Sequence, residues 1–261
     1  MDEKEYSSLY LMNQNRVRIG VIPAAGSGSR LGYLSAILPK ALFPLYDRPI
    51  LHYVINQMQS LGITDIYIVV HVYKEKIIEY CKSIAGTLRV RLHFVEQPTL
   101  SGTADAILQA ERHIRNRPFL VMYGDDCTIS DSLPAMMNFF QFNDGIVTEA
   151  VIGETRDAIL RQTCSVRVTR TGKMVEIMEK PSHPPYHVRG CGVYMFRPEI
   201  FTHIRATPVH SQRKEREITH TINMLAHMGL AYGYRIRGHN ININNYDELI
   251  RASMLVKGKS R

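Results

Sequence analysis

Residues 18–45, RIGVIPAAGSGSRLGYLSAILPKALFPL, decide how this chain is read. The run VRIGVIP at 17–23 is short, β-branched and closed by a glycine-rich turn, which predicts a buried strand. Gly26 and Gly28 keep side-chain bulk away from the turn, so a ligand can come close to the backbone there. Arg30 and Lys40 follow as cations. A small turn after a strand, with two positive charges behind it, suits a phosphate-bearing ligand.

Working outward, strands and helices alternate. A helix is expected at 49–62, with Pro49 at its start and Gly62 past its end. Strands follow at 66–72, 90–96 and 118–124, with helices at 74–84 and 103–114 between them. Strands joined through helices imply right-handed crossovers and a mostly parallel sheet covered on both faces. The second half changes rhythm: a hairpin at 165–180 turning at Thr171-Gly172-Lys173, strands at 192–196 and 230–236, and helices at 198–205, 214–228 and 246–257. The expectation is a single α/β domain, residues 17–261, with a mixed, mostly parallel central sheet in three layers. Residues 1–16 read as a flexible lead-in without a signal-peptide core.

Ligands of such sheets sit beyond the carboxyl ends of the strands, near a topological switch point. Three loops in those positions carry suitable residues: PAAGSGSR, EQPTLSGT and GDD. The first is not a Walker A loop, because GxxxxGK[ST] is absent. It is not a full dinucleotide fingerprint either, since Leu31 stands where the third glycine belongs. Asp47, the spacing match for a ribose-binding acid, lies in a turn, PLYDRPI, instead of at a strand end.

The formal charge of +8 and pI of about 9.3 suit small phosphorylated ligands or nucleic acid. The basic residues are scattered, however, and no aromatic-and-basic signature accompanies them, so nucleic acid is not the expected partner. No apolar run reaches 18 residues, so no membrane partner is expected either. Cys81, Cys127, Cys164 and Cys191 are widely spaced, as expected for reduced thiols in a cytoplasmic protein.

GSGSRL, LPK with nine residues between the arginine and its lysine, and PLYDRPI together resemble the signature of the sugar-1-phosphate nucleotidyltransferases. The likeness is greatest to the glucose-1-phosphate thymidylyltransferases and the UTP–glucose-1-phosphate uridylyltransferases. It continues in order through EQPTLSG, YGDD, MEKP, REITHTIN and NININNYDEL, covering roughly 18–255. The resemblance implies a Rossmann-like fold of the nucleotide-diphospho-sugar transferase type. It also implies a Mg²⁺-assisted transfer of a nucleoside monophosphate from an NTP to a sugar-1-phosphate, with release of pyrophosphate. Arg30 and Lys40 would be the catalytic cations. Ala25, Gly26, Ser27 and Gly28 would hold the nucleotide, with Gln97, Gly102 and Thr103 around the base. Glu179, Lys180, Gly192, Glu217 and Thr219 would meet the sugar phosphate.

Asp125 and Asn242 would ligate the metal. Thymidylyl and glucose uridylyl relatives often carry Asp at the place of Asn242, whereas the N-acetylglucosamine-1-phosphate enzymes use Asn; an Asn-rich turn with local hydrogen bonds is the competing reading. Asp126 is left outside the set as a residue that caps or turns the chain. The Gln97 amide can both donate to and accept from a pyrimidine imide edge, which favours UTP or dTTP over CTP or GTP. Thr103, where the glucose enzymes typically carry Leu, is more like the N-acetylglucosamine enzymes and some guanylyltransferases; cytidylyl and guanylyl transfer stay as alternatives. A NAD-dependent oxidoreductase and a non-catalytic sugar-nucleotide-binding module are the remaining alternatives. The sequence allows a homo-oligomer without fixing it.

Overall fold

Strand β1, Ile19–Pro23, forms as the pattern requires and takes a central place in the sheet. The computed structural model describes residues 16–26, 32–211 and 214–259. A short hairpin, β2 Pro44–Leu45 and β3 Arg48–Pro49, replaces the plain turn read in PLYDRPI. Tyr46 turns it in the left-handed region, at φ 64°. Helix Ile50–Ser60 leads to β4, Asp65–Val70, and helix Lys74–Ile84 leads to β5, Arg91–Glu96.

The helix expected at 103–114 is divided into Thr103–Leu108 and Glu111–Ile114. The chain tightens between them, with Ala110 N–H donating to the Ile107 carbonyl at 3.1 Å. Strand β6, Phe119–Met122, follows, and then β7, Asp126–Ile129. Helix Leu133–Phe142, β8 at Val147–Gly153 and helix Asp157–Leu160 fill a stretch that the sequence pattern left unassigned. The hairpin is β9, Cys164–Val168, with β10, Met174–Glu179. Strand β11 runs from Val188 to Phe196, longer than its apolar end suggested. Helices Ile200–Ala206 and Ile218–His227, strands β12 (Ala231–Arg235) and β13 (His239–Asn242), and helix Tyr246–Lys259 complete the order.

Seven strands form the central sheet in the order β12-β8-β11-β6-β1-β4-β5. Only β11 runs against the others, pairing antiparallel with both β6 and β8. Side chains alternate across the sheet, as strand geometry demands. Ile22, Leu120 and Met122 join the core under helix Ile50–Ser60, whereas Ile19, Val21, Phe119 and Val121 join the core under helices Ile200–Ala206 and Ile218–His227. This is the three-layer, mixed and mostly parallel α/β architecture expected.

The chain moves from β1 to β4 and β5 on one side, then returns to place β6 on the other side of β1. The switch point therefore lies between the carboxyl ends of β1 and β6. No helix among the described residues is long and apolar enough to cross a membrane. The four cysteines are buried free thiols, and burial pushes Cys81, Cys127 and Cys191 up to about 12, where they stay protonated and unreactive.

Candidate active site

A cleft of about 410 Å³ opens at this switch point. At one wall, Gly124 donates its N–H to the Pro23 carbonyl at 3.0 Å, and a Cβ there would come within 3.0 Å of Ile22. That close approach brings the acidic pair after β6 against the end of β1. Lys40 begins a single 3₁₀ turn, Lys40–Leu42, and is only 7% exposed. Its ammonium donates to Asp125 Oδ2 at 2.8 Å, so two residues 85 positions apart meet in the cleft.

Beside them β7 pairs antiparallel with β13, placing Asp126 directly opposite Asn242. Asp126 Oδ1 and Asn242 Oδ1 are both buried without a hydrogen-bond partner. Burial, and then the neighbouring Asp125 charge, push the Asp126 carboxyl up to about 8. Buried oxygens left unpaired are costly, so an arrangement that keeps two on directly opposed residues fits a ligand that would satisfy them. The donors are all oxygens, as a hard cation such as Mg²⁺ requires. Among the described residues no cluster of three His, Cys, Asp or Glu side chains stands ready to hold a metal. A sparse protein set of this kind suits a cation that completes its shell with water and substrate phosphates.

The opposite wall carries the other predicted residues. Glu179 ends β10, and Lys180 follows in the left-handed region at φ 45°. The Lys180 ammonium lies 3.1 Å from Glu179 and 3.9 Å from Glu217. Thr219 donates to Glu179 Oε2 at 2.7 Å. Glu217 precedes helix Ile218–His227 and makes no side-chain hydrogen bond to cap it. It accepts instead from Thr103 Oγ1 at 3.1 Å.

Two backbone bonds fasten that contact: Arg216 N–H to the Ser101 carbonyl, and Ala104 N–H to the Arg216 carbonyl. Gly102, at φ 106°, sits against Arg216 so tightly that a Cβ would lie 2.4 Å from its carbonyl oxygen. Gln97 is buried, and its amide nitrogen donates to the Gly102 carbonyl and Asp105, each at 3.3 Å.

Gly26, Lys40, Gln97, Gly102, Thr103 and Asp125 thus line one cleft with Glu179, Lys180, Gly192, Glu217, Thr219 and Asn242. Ala25 is buried at the end of β1. Ser27, Gly28 and Arg30 lie outside the described residues. Gly192 has a packing reason of its own. At φ 65° it leaves room filled by the Tyr123 ring and by Asp126 Oδ2, which a Cβ would approach to 2.7 and 2.9 Å.

Sequence reasoning passed over Glu149, on β8, which also lines the cleft and is 1% exposed. Burial, and then the Glu179 charge, push its carboxyl from 4.5 up to about 8. Below pH 4.5 both folded and unfolded chains hold this proton. Between pH 4.5 and about 8 the unfolded chain releases it while the folded chain keeps it, so its contribution to stability falls as pH rises. Glu149→Gln should therefore reduce the loss of stability across that window by up to about 1.4 kcal/mol per pH unit. Denaturant melts of both proteins at several pH values check this; parallel pH profiles would show that Glu149 does not titrate abnormally.

The nucleotidyl transferase family model matches residues 19–257. A Bacillus subtilis protein named "Putative UTP--glucose-1-phosphate uridylyltransferase" is 27% identical, over 87% of this chain and 92% of its own length. A Methanococcus aeolicus "Bifunctional protein GlmU" is 30% identical over 89% of this chain but only 53% of its own length. The chain thus spans about half of that relative. A solved UDP-glucose pyrophosphorylase complexed with UDP-glucose superposes with a TM-score of 0.84, at 24% identity, over 94% of this chain and 100% of the other. A UTP-bound UGPase from Acinetobacter baumannii gives 0.79 at 22%, over 94% and 95%. These two likenesses speak for the fold. With the family model spanning nearly the whole chain, this protein belongs to the nucleotidyl transferase family.

Proposed function

We propose that the chain transfers a nucleoside monophosphate, uridylyl or thymidylyl, from its triphosphate to a sugar-1-phosphate and releases pyrophosphate. The observation that carries this is the single cleft with two differently equipped walls. One holds Lys40, Asp125 and Asn242; the other holds Glu179, Lys180, Glu217 and Thr219. A sugar phosphate is already ionised near neutral pH, so its oxygen can attack the α-phosphorus in line without a protein base. The protein's task is to bring two polyanions together and to stabilise charge on the departing pyrophosphate.

In this reading residues 25–28 hold the triphosphate through backbone N–H groups. Arg30 grips its β- and γ-phosphates as a two-point fork, and Lys40 adds a second charge. Lys180 meets the sugar's phosphate, and the Glu179 and Glu217 carboxylates accept from its hydroxyls. Asp125 and Asn242 would hold Mg²⁺, with Asp126 Oδ1, unpartnered opposite Asn242, as a further oxygen donor. The bound cation would neutralise phosphate charge as the bond to the leaving group breaks. A cytoplasmic setting agrees with four free thiols.

With both amide hydrogens of Gln97 turned toward Gly102 and Asp105, its oxygen is left to accept from the imide N–H shared by uracil and thymine. Cytosine has no such hydrogen. Pyrophosphate release with UTP, dTTP and CTP should therefore show kcat/KM for UTP or dTTP at least roughly tenfold above CTP. Gln97→Ala should erase most of that margin. Equal use of CTP would remove Gln97 from base recognition.

A further inference from the structure

Strand β11 is built around Glu149. Its pairing with β8 shifts register between Gly190 and Tyr194, and Gly190 stands where any side chain would strike the carboxylate: a Cβ would lie 1.8 Å from Glu149 Oε1. The Tyr194 side chain neighbours the Glu149 carboxyl, and its hydroxyl lies 3.4 Å from that of Tyr123. The carboxyl oxygen Oε2 is buried and has no partner. A carboxyl with an unsatisfied oxygen in the wall of a substrate cleft is poised to take a polar group from the ligand. Rotation about the last side-chain bond costs little and can turn either oxygen toward the cleft.

We propose that Glu149 is a specificity-determining residue that hydrogen-bonds one hydroxyl or amino substituent of the acceptor sugar, so that sugars lacking such a group at that ring position are rejected. The proposal rests on the transfer reading above. Glu179 and Glu217, acids of the same cleft, already have protein partners in Lys180, Thr219 and Thr103, whereas Glu149 Oε2 has none. Burial holds its proton near neutral pH, so it can donate to a sugar oxygen as well as accept from a hydroxyl. A sugar ammonium would instead draw the proton off and pair with the carboxylate.

The test measures kcat/KM of wild type, Glu149→Ala and Glu149→Gln with glucose-1-phosphate, its four monodeoxy analogues and glucosamine-1-phosphate, folding being checked by circular dichroism. Wild type should lose roughly tenfold or more when one particular hydroxyl is removed, or gain as much with the amine. Glu149→Ala should treat that matched pair alike. Glu149→Gln separates the two sources: it should keep a preference for a hydroxyl, because the amide still donates and accepts, and lose one for an ammonium, because it carries no charge. A Glu149→Ala profile lowered evenly across all acceptors, or an unaltered ranking, would overturn the proposal and leave transfer intact. Absence of turnover by the wild type with every pair would overturn transfer itself and this role with it. A wild-type structure with bound sugar-1-phosphate, needing no variant to fold, should show a Glu149 oxygen within hydrogen-bond reach of a ring substituent; none in reach would also refute the role.

Discussion

Asp125→Ala is expected to lower the transfer rate by roughly two or more orders of magnitude, the scale seen when a principal electrostatic stabiliser is lost. Three features of its position support this. It follows β6 at the switch point, it holds the Lys40 ammonium at 2.8 Å, and it adjoins the β7–β13 pair with its two unsatisfied oxygens. Removing it would take away the one carboxylate of the group that is both accessible to the cleft and balanced by a cation. EDTA should abolish turnover by the wild type, and added Mg²⁺ should restore it. The variant should need more Mg²⁺ for half-maximal rate, whereas a merely structural change would leave that requirement unaltered. Asn242→Asp, which adds charge to the same set, should retain activity and lower the requirement. Near-normal turnover by Asp125→Ala would remove Asp125 from the site.

Lys40→Ala is expected to reduce kcat/KM for the NTP by roughly a hundredfold or more, through both binding and rate. A buried lysine paired with a carboxylate meets phosphates already ionised in the ground state, so it contributes before as well as during bond breaking. Its loss also leaves Asp125 and Asp126 without their nearest positive charge, which the Asp126 carboxyl feels directly. Lys40→Arg should recover only part of the loss, because a planar guanidinium does not fit the place of a compact ammonium. Steady-state kinetics with varied NTP read this. Unchanged constants in Lys40→Ala would reduce the Lys40–Asp125 contact to an ordinary ion pair.

The half of the sheet from β1 to β6 was legible because its strands are short apolar runs punctuated by glycine and proline. β8 was not, since Thr148 and Glu149 are polar yet buried, and they break the pattern that marks a buried strand. The first half of β11 is hidden for a related reason: Arg189, Gly190 and Gly192 lie there, where a bulge and a buried guanidinium replace apolar packing. Arg189 there bonds the side chain and carbonyl of Asn240, a contact across 51 residues that no local spacing announces.

The site followed the same division. Lys40, Asp125, Glu179, Lys180 and Glu217 stood out through ordered motifs. Asp126 looked like a turn residue until its pairing opposite Asn242 was visible, and Glu149 belongs to no motif. Its meaning comes from Gly190 and Tyr194, residues far away in sequence. Gly192 stands among the residues expected at the sugar phosphate, and the crowding of its Cα by Tyr123 and Asp126 is a packing role that no motif announces.

The central claim is tested most directly by incubating the wild type with UTP or dTTP, a sugar-1-phosphate and Mg²⁺, and quantifying products by mass spectrometry. The account predicts nucleoside diphosphate sugar and pyrophosphate in equal amounts, formed only when both substrates are present. Pyrophosphate without a sugar nucleotide, or no product from any donor and acceptor pair, would contradict it.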